Sequence, residues 1–531
     1  MTFENILEEI GGFGPFQITF MVLLFVPRMV LPCHFLLNNF IAASPPHRCD
    51  ISTLGGGGLF RNLTREQRLT VGLPVREDGA PKSCEMFTEP QFQLLANSSD
   101  AGNLSTVQCR SGWVYDNSTF TSTIATEVRL FVFTLCVTNI SILNLLPTRT
   151  CRYGRKNTLL ASYVMSIVFG FASAFANSYI VFAVLRFLTG FGLTGIIANV
   201  VVIGELTKLM VGSLSWSVGN MLLAGLAYLI NDWRTLTMVV TAPLGFAVLT
   251  WWIPESARWL LAHGKVEKAQ FYLEKCAKFN KRPKVSSNVL LETLSDTEKQ
   301  DKSYTYLHLI KTPKMRRLTL LTGIVFGVAL TYYAISLNIG GFGLNIYLTH
   351  FIYAAIEVPA KLVIYFCLDI FGRKKCQAGT LLLTGISIVV NIFIPRDLWH
   401  VRVVVAVLGK GLSESAFTTV FLYTTELYPT VVRQNGMGYS NFMSRLGVTV
   451  APLVLLLVDV WSVLPQIIIC TVAIGSGLAA LLLPETLNVR LPETIEDVEK
   501  TRSIKKKVYG HNNINTCTIK PSECFRIAFF K

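Results

Sequence analysis

Arg152-Tyr153-Gly154-Arg155-Lys156 and Asp369-Ile370-Phe371-Gly372-Arg373-Lys374 are two copies of one short basic turn, and each stands between two long apolar runs. Two more motifs recur in the same order: Glu205-Leu206-Thr207 as Glu426-Leu427-Tyr428, and Pro254-Glu255-Ser256 as Pro484-Glu485-Thr486. The matching residues are 218, 221 and 230 positions apart. Because three motifs repeat at nearly one separation, we infer that one half of the chain is a duplicate of the other.

The composition is that of a protein embedded in lipid. Hydrophobic residues make up 51% of 531 positions, mean hydropathy is +0.47, and 15% of the residues are charged. This balance excludes a soluble protein with its whole surface in water. The surrounding solvent is therefore expected to be mostly lipid.

Apolar runs of ~18 residues or more are long enough to cross a bilayer as helices. Twelve can be delimited: 16–43, 130–148, 158–177, 179–203, 209–230, 235–253, 318–338, 345–368, 377–395, 401–425, 436–458 and 464–483. We predict an all-α polytopic membrane protein of two six-helix bundles related by pseudo-twofold symmetry. The second run is marginal, because its 19 residues include Asn139, Asn144 and Pro147.

The runs and loops divide the chain into four expected regions. They are an N-terminal six-helix half (1–253) with an extracellular loop (44–123), a basic cytoplasmic loop (254–317), a C-terminal six-helix half (318–484) and a cytoplasmic tail (485–531).

The formal charge of +15 is concentrated in loops. Fourteen Lys and Arg residues lie between Arg258 and Arg317, and further groups lie in both basic turns and at Lys505 to Lys507. The positive-inside rule makes these loops cytoplasmic, so the charge is no indication of nucleic-acid binding. The tail cluster either contacts anionic lipid headgroups or is a solvated basic run.

The loop 44–123 has the features of an extracellular segment. It contains four acceptor patterns for N-linked glycans, at Asn62, Asn97, Asn103 and Asn117. It also contains three disulfide candidates, Cys49, Cys84 and Cys109, in a compartment where disulfides persist. Three cysteines cannot all pair with one another, so at least one is free or has a partner elsewhere, such as Cys136.

Two cations inside apolar runs are the main candidates for a binding site. Lys361 and Arg445 lie within such runs, and each costs ~2.5–3.5 kcal/mol at the bilayer centre. Unpaired cations in a cavity are suited to holding an anion. The alternatives are that Lys361 pairs with Glu357 one turn away and that Arg445 pairs internally or extends to the interface.

Aromatic residues extend this candidate substrate site. Tyr332, Tyr333 and Phe417 could form walls for flat amphipathic anions, although Tyr also gathers at membrane interfaces. His34 and Phe35 follow a proline-containing bend, where broken helix geometry often lines a cavity. A lone buried histidine such as His34 is otherwise a structural residue.

Enzyme and cofactor motifs are not found in the sequence. The run Gly190-Phe191-Gly192-Leu193-Thr194-Gly195 matches a dinucleotide fingerprint in letters only, since it lies inside one apolar run. There is no HExxH motif and no Cys/His spacing typical of a metal site. We therefore expect no enzyme, no catalytic residues, no cofactor, no metal and no ATP hydrolysis. Any solute that such a bundle carries across the membrane must then move by a solute gradient or by exchange.

Several motifs together resemble the organic anion transporters of solute carrier family 22, in the major facilitator superfamily. They are Pro254-Glu255-Ser256-Ala257-Arg258-Trp259-Leu260, the segment from Glu426 to Gln434, the opening Gly11-Gly12-Phe13-Gly14-Pro15-Phe16-Gln17, and Leu491-Pro492-Glu493-Thr494-Ile495-Glu496-Asp497. The resemblance covers almost the whole chain to about residue 500.

The resemblance implies the major facilitator fold and alternating access by rocking of the two halves. It also implies a latch on the cytoplasmic side, to which Asp369, Gly372 and Arg373 belong, with Glu426 and Arg433 as partners. The first-half counterparts are Arg152, Gly154, Arg155 and Glu205. The family's anion carriers have Lys at the Lys361 position and Arg at the Arg445 position, which implies small organic anions as substrates and a possible counter-anion. The resemblance also implies a plasma-membrane location. Twelve spans put both termini on one side, and the basic loops make that side the cytoplasm.

Three departures from the family pattern leave other functions open. Cys151 replaces the acidic residue of the first latch, the run 130–148 is shorter than the family's second span, and the basic segment after Thr207 is reduced to Lys208. The alternatives are an organic cation or zwitterion carrier of the same family, and a transport-inactive variant that acts as a binding partner in the membrane.

The predicted orientation can be tested through the glycan acceptors. We expect digestion with a peptide N-glycosidase to increase the electrophoretic mobility of the protein expressed in mammalian cells, because the loop 44–123 enters the secretory lumen. Replacing Asn62, Asn97, Asn103 and Asn117 by Gln should abolish the shift. An unglycosylated wild-type protein at the cell surface would contradict this topology.

Overall fold

A computed structural model describes residues 14–43, 45–54, 62–75, 81–95, 104–116, 120–124, 126, 155–201, 206–246, 255, 257, 260, 264–283, 305–338, 345–489, 492 and 494–504. Helices dominate these residues, because a backbone in hydrocarbon must satisfy its N–H and C=O groups within its own segment.

Eight helices are described among residues 14–283. They are α1 (Pro15–Leu36), α2 (Asn38–Ile41), α3 (Arg65–Gly72), α4 (Arg155–Ala174), α5 (Tyr179–Val201), α6 (Leu206–Leu229), α7 (Trp233–Thr241) and α8 (Val266–Phe279).

Nine further helices are described in the rest of the chain. They are α9 (His308–Lys311), α10 (Pro313–Thr322), α11 (Ile324–Leu337), α12 (Ile346–Phe371), α13 (Arg373–Phe393), α14 (Trp399–Leu427), α15 (Arg433–Leu456), α16 (Leu464–Ala480) and α17 (Ile495–Ile504).

Eleven of the twelve predicted apolar runs overlap described helices, and the run 130–148 lies outside the described residues. In the run 235–253, α7 ends at Thr241, and residues 247–253 also lie outside the described residues. Within the described part of the chain, six segments are both long and apolar enough to span a membrane: Lys156–Ala174, Tyr179–Ile197, Pro313–Leu337, Ile346–Phe371, Arg373–Phe393 and Trp399–Leu427. The run 318–338 is divided between α10 and α11 at Gly323.

The two halves repeat the same pattern of helix packing. In the first half, α4 packs against both α5 and α7, and α1 packs against α6. In the second half, α13 packs against both α14 and α16, and α11 packs against α15. These pairs are equivalent under the offset of the basic turns, so the fold has the duplication that the repeated motifs predict.

Glycines at matching positions allow the same close approach in both halves. A Cβ on Gly219 of α6 would collide with the Met29 carbonyl oxygen of α1. A Cβ on Gly447 of α15 would likewise collide with the Phe326 carbonyl oxygen of α11. Small residues permit such backbone approach between membrane helices, and the two glycines explain why the α1–α6 and α11–α15 pairs are so close.

The halves meet where α6 packs against α12. At one end of the bundle, which we call the loop end, the described residues between 45 and 124 include a small unit of two antiparallel strand pairs. Strands β1 (His47–Cys49) and β4 (Trp113–Tyr115) form one pair, and β2 (Glu85–Phe87) and β3 (Thr106–Gln108) form the other.

A disulfide and a helix cap stabilise this small unit. Cys49 is bonded to Cys109, and Cys84 is a free, exposed thiol, which resolves the choice among the three predicted disulfide candidates. A link across 60 residues stabilises the folded unit by roughly 4 kcal/mol in the loop-entropy account. The Thr64 side chain caps α3, and the acceptor Asn62 beside it is exposed; Asn97, Asn103 and Asn117 lie outside the described residues.

The opposite end of the bundle carries α8 and α17. The backbone N–H of Phe16, at the start of α1, donates to the Asn280 side-chain oxygen at 3.0 Å, just beyond α8. The Glu499 carboxylate of α17 accepts from the backbone N–H of Lys314 at 2.9 Å and so caps the start of α10. Both contacts attach segments of the predicted cytoplasmic regions to the spans.

The disulfide assignment predicts the reactivity of the loop thiols. We expect a membrane-impermeant maleimide to label the wild-type protein at the surface of intact cells, because Cys84 is exposed and free. Cys84→Ser should lose this label, and Cys49→Ser should gain one at Cys109. Undiminished labelling of Cys84→Ser by mass spectrometry would show that the pairing differs.

Candidate functional site

The second basic turn begins α13, and a carboxylate from a distant motif caps it. Glu485 accepts hydrogen bonds from the backbone N–H groups of Arg373 at 2.9 Å and Lys374 at 3.2 Å. Gly372 has φ +88°, and a Cβ there would collide with this carboxylate. A negative charge at a helix N-terminus satisfies otherwise unpaired N–H groups and the helix dipole.

The first half repeats this arrangement. The Glu255 carboxylate accepts from the backbone N–H of Lys156, at 3.1 Å to Oε2 and 3.3 Å to Oε1, near the start of α4. In each half, therefore, two of the three repeated motifs contact each other. The glutamate of the Pro-Glu motif caps the helix that begins at the basic turn.

The third repeated motif completes a polar cluster in the second half. The Arg373 guanidinium lies 3.1 Å from Glu426 and 3.9 Å from Asp369, and Thr486 donates to Glu426 at 2.6 Å. We call Asp369, Arg373 and Glu426 the latch. Arg433, also predicted to belong to it, donates to the Tyr428 carbonyl oxygen at 3.3 Å and the Thr430 hydroxyl at 3.2 Å.

The first-half counterparts of the latch are only partly described. Arg152, Gly154 and Glu205 lie outside the described residues, and of Arg155 only the backbone is described.

Four charged side chains meet between α12 and α14 in the middle of the bundle. They are Glu357 and Lys361 of α12 and Lys410 and Glu414 of α14, and each is between 1% and 3% exposed. We call them the charge cluster. With all four ionised the cluster is electrically neutral, which is the condition under which charges can be buried at acceptable cost.

Lys361 uses all of its donor capacity on one member of the charge cluster and two serines of α6. Its ammonium group lies 2.9 Å from Glu414 and 3.6 Å from Glu357. It also donates to the Ser217 hydroxyl at 2.7 Å and the Ser213 carbonyl oxygen at 2.9 Å, both on α6. An ammonium group has three N–H donors, so three partners within 3 Å occupy it completely. Lys361 thereby joins α12 to α14 and to the other half of the fold.

The two carboxylates of the charge cluster are held unequally. Glu357 accepts from Tyr332 at 2.8 Å and from Ser217 at 2.9 Å, and Lys410 lies 3.1 Å away. Glu414 accepts from Lys361 and, at 3.3 Å, from Thr418, whereas its second oxygen is buried with no hydrogen-bond partner.

Lys410 and Glu414 are functional candidates that the sequence analysis missed. Both stand in the apolar run 401–425, one helical turn apart, so the same rule that singled out Lys361 would have found them. Their pairing across two helices could not be read from spacing, because Glu357 and Lys410 are 53 positions apart.

The predicted aromatic residues converge beside the charge cluster. The Tyr332 ring stacks on Phe417 with centroids 4.9 Å apart and contacts Tyr333 at 5.1 Å. The Lys410 ammonium lies 3.4 Å from the Tyr332 ring centroid. Trp216 of α6, which the sequence analysis missed, donates to the Tyr332 hydroxyl at 3.4 Å. The aromatic wall is therefore shared by both halves.

Arg445 joins this wall from its other side. Its guanidinium lies 5.1 Å from the Phe35 ring centroid, and the Phe35 ring contacts Trp216 at 5.8 Å. Arg445 is half-buried, and no carboxylate of the described residues lies within ion-pair distance of it. Phe35 and Arg445 thus lie in contact.

His34 has a different neighbour. The Arg186 guanidinium lies 3.5 Å from its Nδ1 and donates to its backbone carbonyl oxygen at 3.3 Å. Both side chains are buried, so His34 and Arg186 form a pair that joins α1 to α5. No described polar contact joins His34 to the charge cluster.

A small cavity lies beside the charge cluster on its loop-end side. Its volume is about 10 Å³, room for roughly one water molecule, and it is lined by Leu36, Asn220, Ser336, His350, Tyr353, Ala354, Glu357 and Lys410. An organic anion does not fit there in this conformation.

Aromatic contacts between the halves close the loop end. Tyr347 of α12 stacks on Phe40 with centroids 5.6 Å apart and contacts Phe120 at 5.9 Å and Tyr228 at 5.8 Å. The side-chain nitrogen of Asn39 also donates to the Ser336 carbonyl oxygen at 3.0 Å. These packed rings separate the charge cluster from the loop end.

Comparisons with known proteins agree with this architecture. The family described as "Sugar (and other) transporter" matches residues 115–494. Solute carrier family 22 member 7 of Bos taurus is 41% identical over 539 residues, covering 94% of this chain and 96% of the relative. Solute carrier family 22 member 6-B of Xenopus laevis is 36% identical, covering 96% of each.

A solved structure shows the same fold at low identity. The major facilitator superfamily proton:xylose symporter XylE bound to 6-bromo-6-deoxy-D-glucose matches with a TM-score of 0.53 at 16% identity, covering 90% of this chain and 98% of that one. The predicted fold and family are confirmed: the chain belongs to solute carrier family 22, a family of transporters rather than enzymes, built on the major facilitator fold.

Proposed function

We propose that the protein carries organic anions by alternating access, with Arg445 and Lys361 as the cations that attract the anion. The protein is a transmembrane transporter of organic anions. The position of Arg445 is the main support for its proposed role. Arg445 is half-buried in a span and lies beside the Phe35 ring, and no carboxylate of the described residues neutralises it.

The charge balance of the described interior supports an anionic substrate. Away from the helix ends, the spans contain five cations and two carboxylates with described side chains, for a net charge of +3: Arg28, Arg186, Lys361, Lys410, Arg445, Glu357 and Glu414. Because desolvated cations attract anions strongly at low dielectric, this interior favours anions over cations.

The aromatic wall supports selection of flat, partly apolar anions. Phe35, Trp216, Tyr332 and Phe417 lie between Arg445 and the charge cluster. Rings beside cations can bind the apolar body of a substrate while the cations bind its charged group. Tyr333 and His34 remain proposed members of this site.

Alternating access requires that contacts between the halves form and break in turn. We propose the halves 1–253 and 318–484 as the moving units, joined by the loop 254–317 and followed by the tail 485–531. The aromatic contacts of Tyr347 close the loop end in the described state. Opening that end would separate Tyr347 of α12 from its aromatic partners in the first half.

The setting of the transporter follows from its loops. We propose a plasma-membrane location with both termini in the cytoplasm, supported by the exposed Asn62 and the Cys49–Cys109 disulfide at the loop end. The driving force is the gradient of the anion itself or exchange for a counter-anion.

The role of Arg445 can be tested by uptake of a labelled organic anion. We expect Arg445→Ala to lower uptake per surface molecule by roughly 10- to 100-fold, because a hydrogen bond to a charged group is worth ~1.5–3 kcal/mol. Arg445→Lys should retain part of the activity, since it keeps the charge and loses the planar guanidinium.

Arg316→Ala provides a matched control, because Arg316 is exposed on α10 and should leave uptake unchanged. Surface biotinylation normalises the variants for abundance. If Arg445→Ala took up organic cations and the wild type took up no anions, the proposed substrate class would be wrong.

The latch predicts a second set of variants. We expect Arg373→Ala to lower uptake by about three- to tenfold, because losing the half-buried ion pair with Glu426 costs ~1 kcal/mol in one of the alternating states. The exposed neighbour Lys375 is the matched control, and Lys375→Ala should leave uptake unchanged. The charge-swapped double variant, Arg373→Glu with Glu426→Arg, should recover part of the lost uptake. Equal uptake by Arg373→Ala and the wild type would show that the latch has no role in transport.

A further inference from the structure

Lys361 can bind a substrate anion only by releasing a partner that it already has. Its three N–H donors are occupied by Ser213, Ser217 and Glu414. The two serine oxygens are neutral and lie on α6 of the other half. Glu414 is the only one of the three that is itself an anion, so a substrate carboxylate or sulfonate competes directly with Glu414 for the charge of Lys361.

Glu414 has little else to hold it once Lys361 is taken. Its Oε2 has no hydrogen-bond partner in the described structure, and the remaining partner of Oε1 is the Thr418 hydroxyl at 3.3 Å. A buried carboxylate that loses its cation is strongly destabilised, because its charge is then neither solvated nor paired. Taking up a proton removes this cost, because desolvation disfavours only the charged form.

Glu357 would not respond in the same way. It keeps the Tyr332 hydroxyl, the Ser217 hydroxyl and the Lys410 ammonium when Lys361 changes partner. These contacts hold it in the ionised form. The asymmetry between the two carboxylates therefore selects Glu414 as the group that must change its protonation state.

The other groups around Glu414 offer no replacement cation. Lys410, on its own helix, is bound to Glu357 and Ser336. The titratable and charged groups that face this region from packed helices are Glu357, Lys361 and His350 of α12, Tyr332 and Tyr333 of α11, and Arg445 of α15. Of these, Arg445 is the proposed partner of the substrate and His350 lines the cavity with Glu357 and Lys410.

We propose that Glu414 is a proton-binding site that loads one proton each time an organic anion displaces it from Lys361, so that anion and proton cross together. This inference rests on the proposed role of Lys361 in anion binding. The step balances without another reactant: the carboxylate takes a proton from water on the loading side and returns it on the other. The net result equals exchange of the anion for hydroxide.

The test uses the full-length protein and a labelled arylsulfonate, whose own charge does not change with pH. We expect initial uptake to rise as external pH falls from about 8 to about 5.5, by up to about tenfold per pH unit while the site is unsaturated. Glu414→Gln should take up the probe with no dependence on external pH and a lower KM at neutral pH, because the amide resembles the protonated acid and leaves Lys361 free.

Glu357→Gln is the matched control within the same cluster. It should lower uptake per surface molecule but retain the pH dependence, since Glu414 is still present. A full pH dependence in Glu414→Gln would overturn the proposal.

A measurement on the wild type does not depend on any variant folding. Adding the probe to cells that contain a pH-sensitive dye should acidify the cytoplasm in step with uptake. Uptake without acidification overturns the proton site and leaves anion transport intact. Unchanged uptake in Lys361→Ala would instead show that the proposed function of Lys361, and with it this inference, is wrong.

Discussion

The free-energy cost of charge in a lipid-embedded interior is the constraint on which the centre of this molecule depends. An isolated lysine or glutamate at mid-membrane costs ~2.5–3.5 kcal/mol on insertion scales, and the charge cluster has four such residues. The cost of burying these charges is offset only when opposite charges pair, so α12 and α14 must pack where the four side chains neutralise each other. Lys361 then draws α6 to the same point through Ser213 and Ser217. The site is therefore complete only when both halves are docked.

The repeated motifs acquire a common physical meaning in the fold. Each half begins a helix at a basic turn, and a carboxylate far along the chain caps that helix: Glu255, 99 positions after Lys156, for α4, and Glu485, 112 positions after Arg373, for α13. The backbone N–H groups at a helix start need an acceptor whatever the side chains are, so this pairing has been kept in both copies. In the second half the Arg373 side chain also forms an ion pair with Glu426. The ion pair lies at the helix end and is suited to breaking and re-forming as the halves move.

Hydropathy was sufficient to predict the fold because each span satisfies its own backbone hydrogen bonds. Eleven runs overlap described helices, and the i, i+4 pair of Glu357 and Lys361 could be anticipated from spacing alone. Glu414 could not be assigned to Lys361, since a contact between two helices depends on their packing and rotation. The choice of Cys109 over Cys84 as the partner of Cys49 depended in the same way on packing, because Cys49 lies in β1 and reaches Cys109 through the contact between the two strand pairs.

The small volume of the cavity beside the charge cluster determines what can lie next to the buried charges. A space of about 10 Å³ holds roughly one water molecule, so it cannot contain a hydrated sodium or chloride ion. When no substrate is present, side chains of the protein itself fill the place that a substrate would take. In the described conformation, the side chains that line this space therefore leave no room for a hydrated inorganic ion beside Glu357 and Lys410.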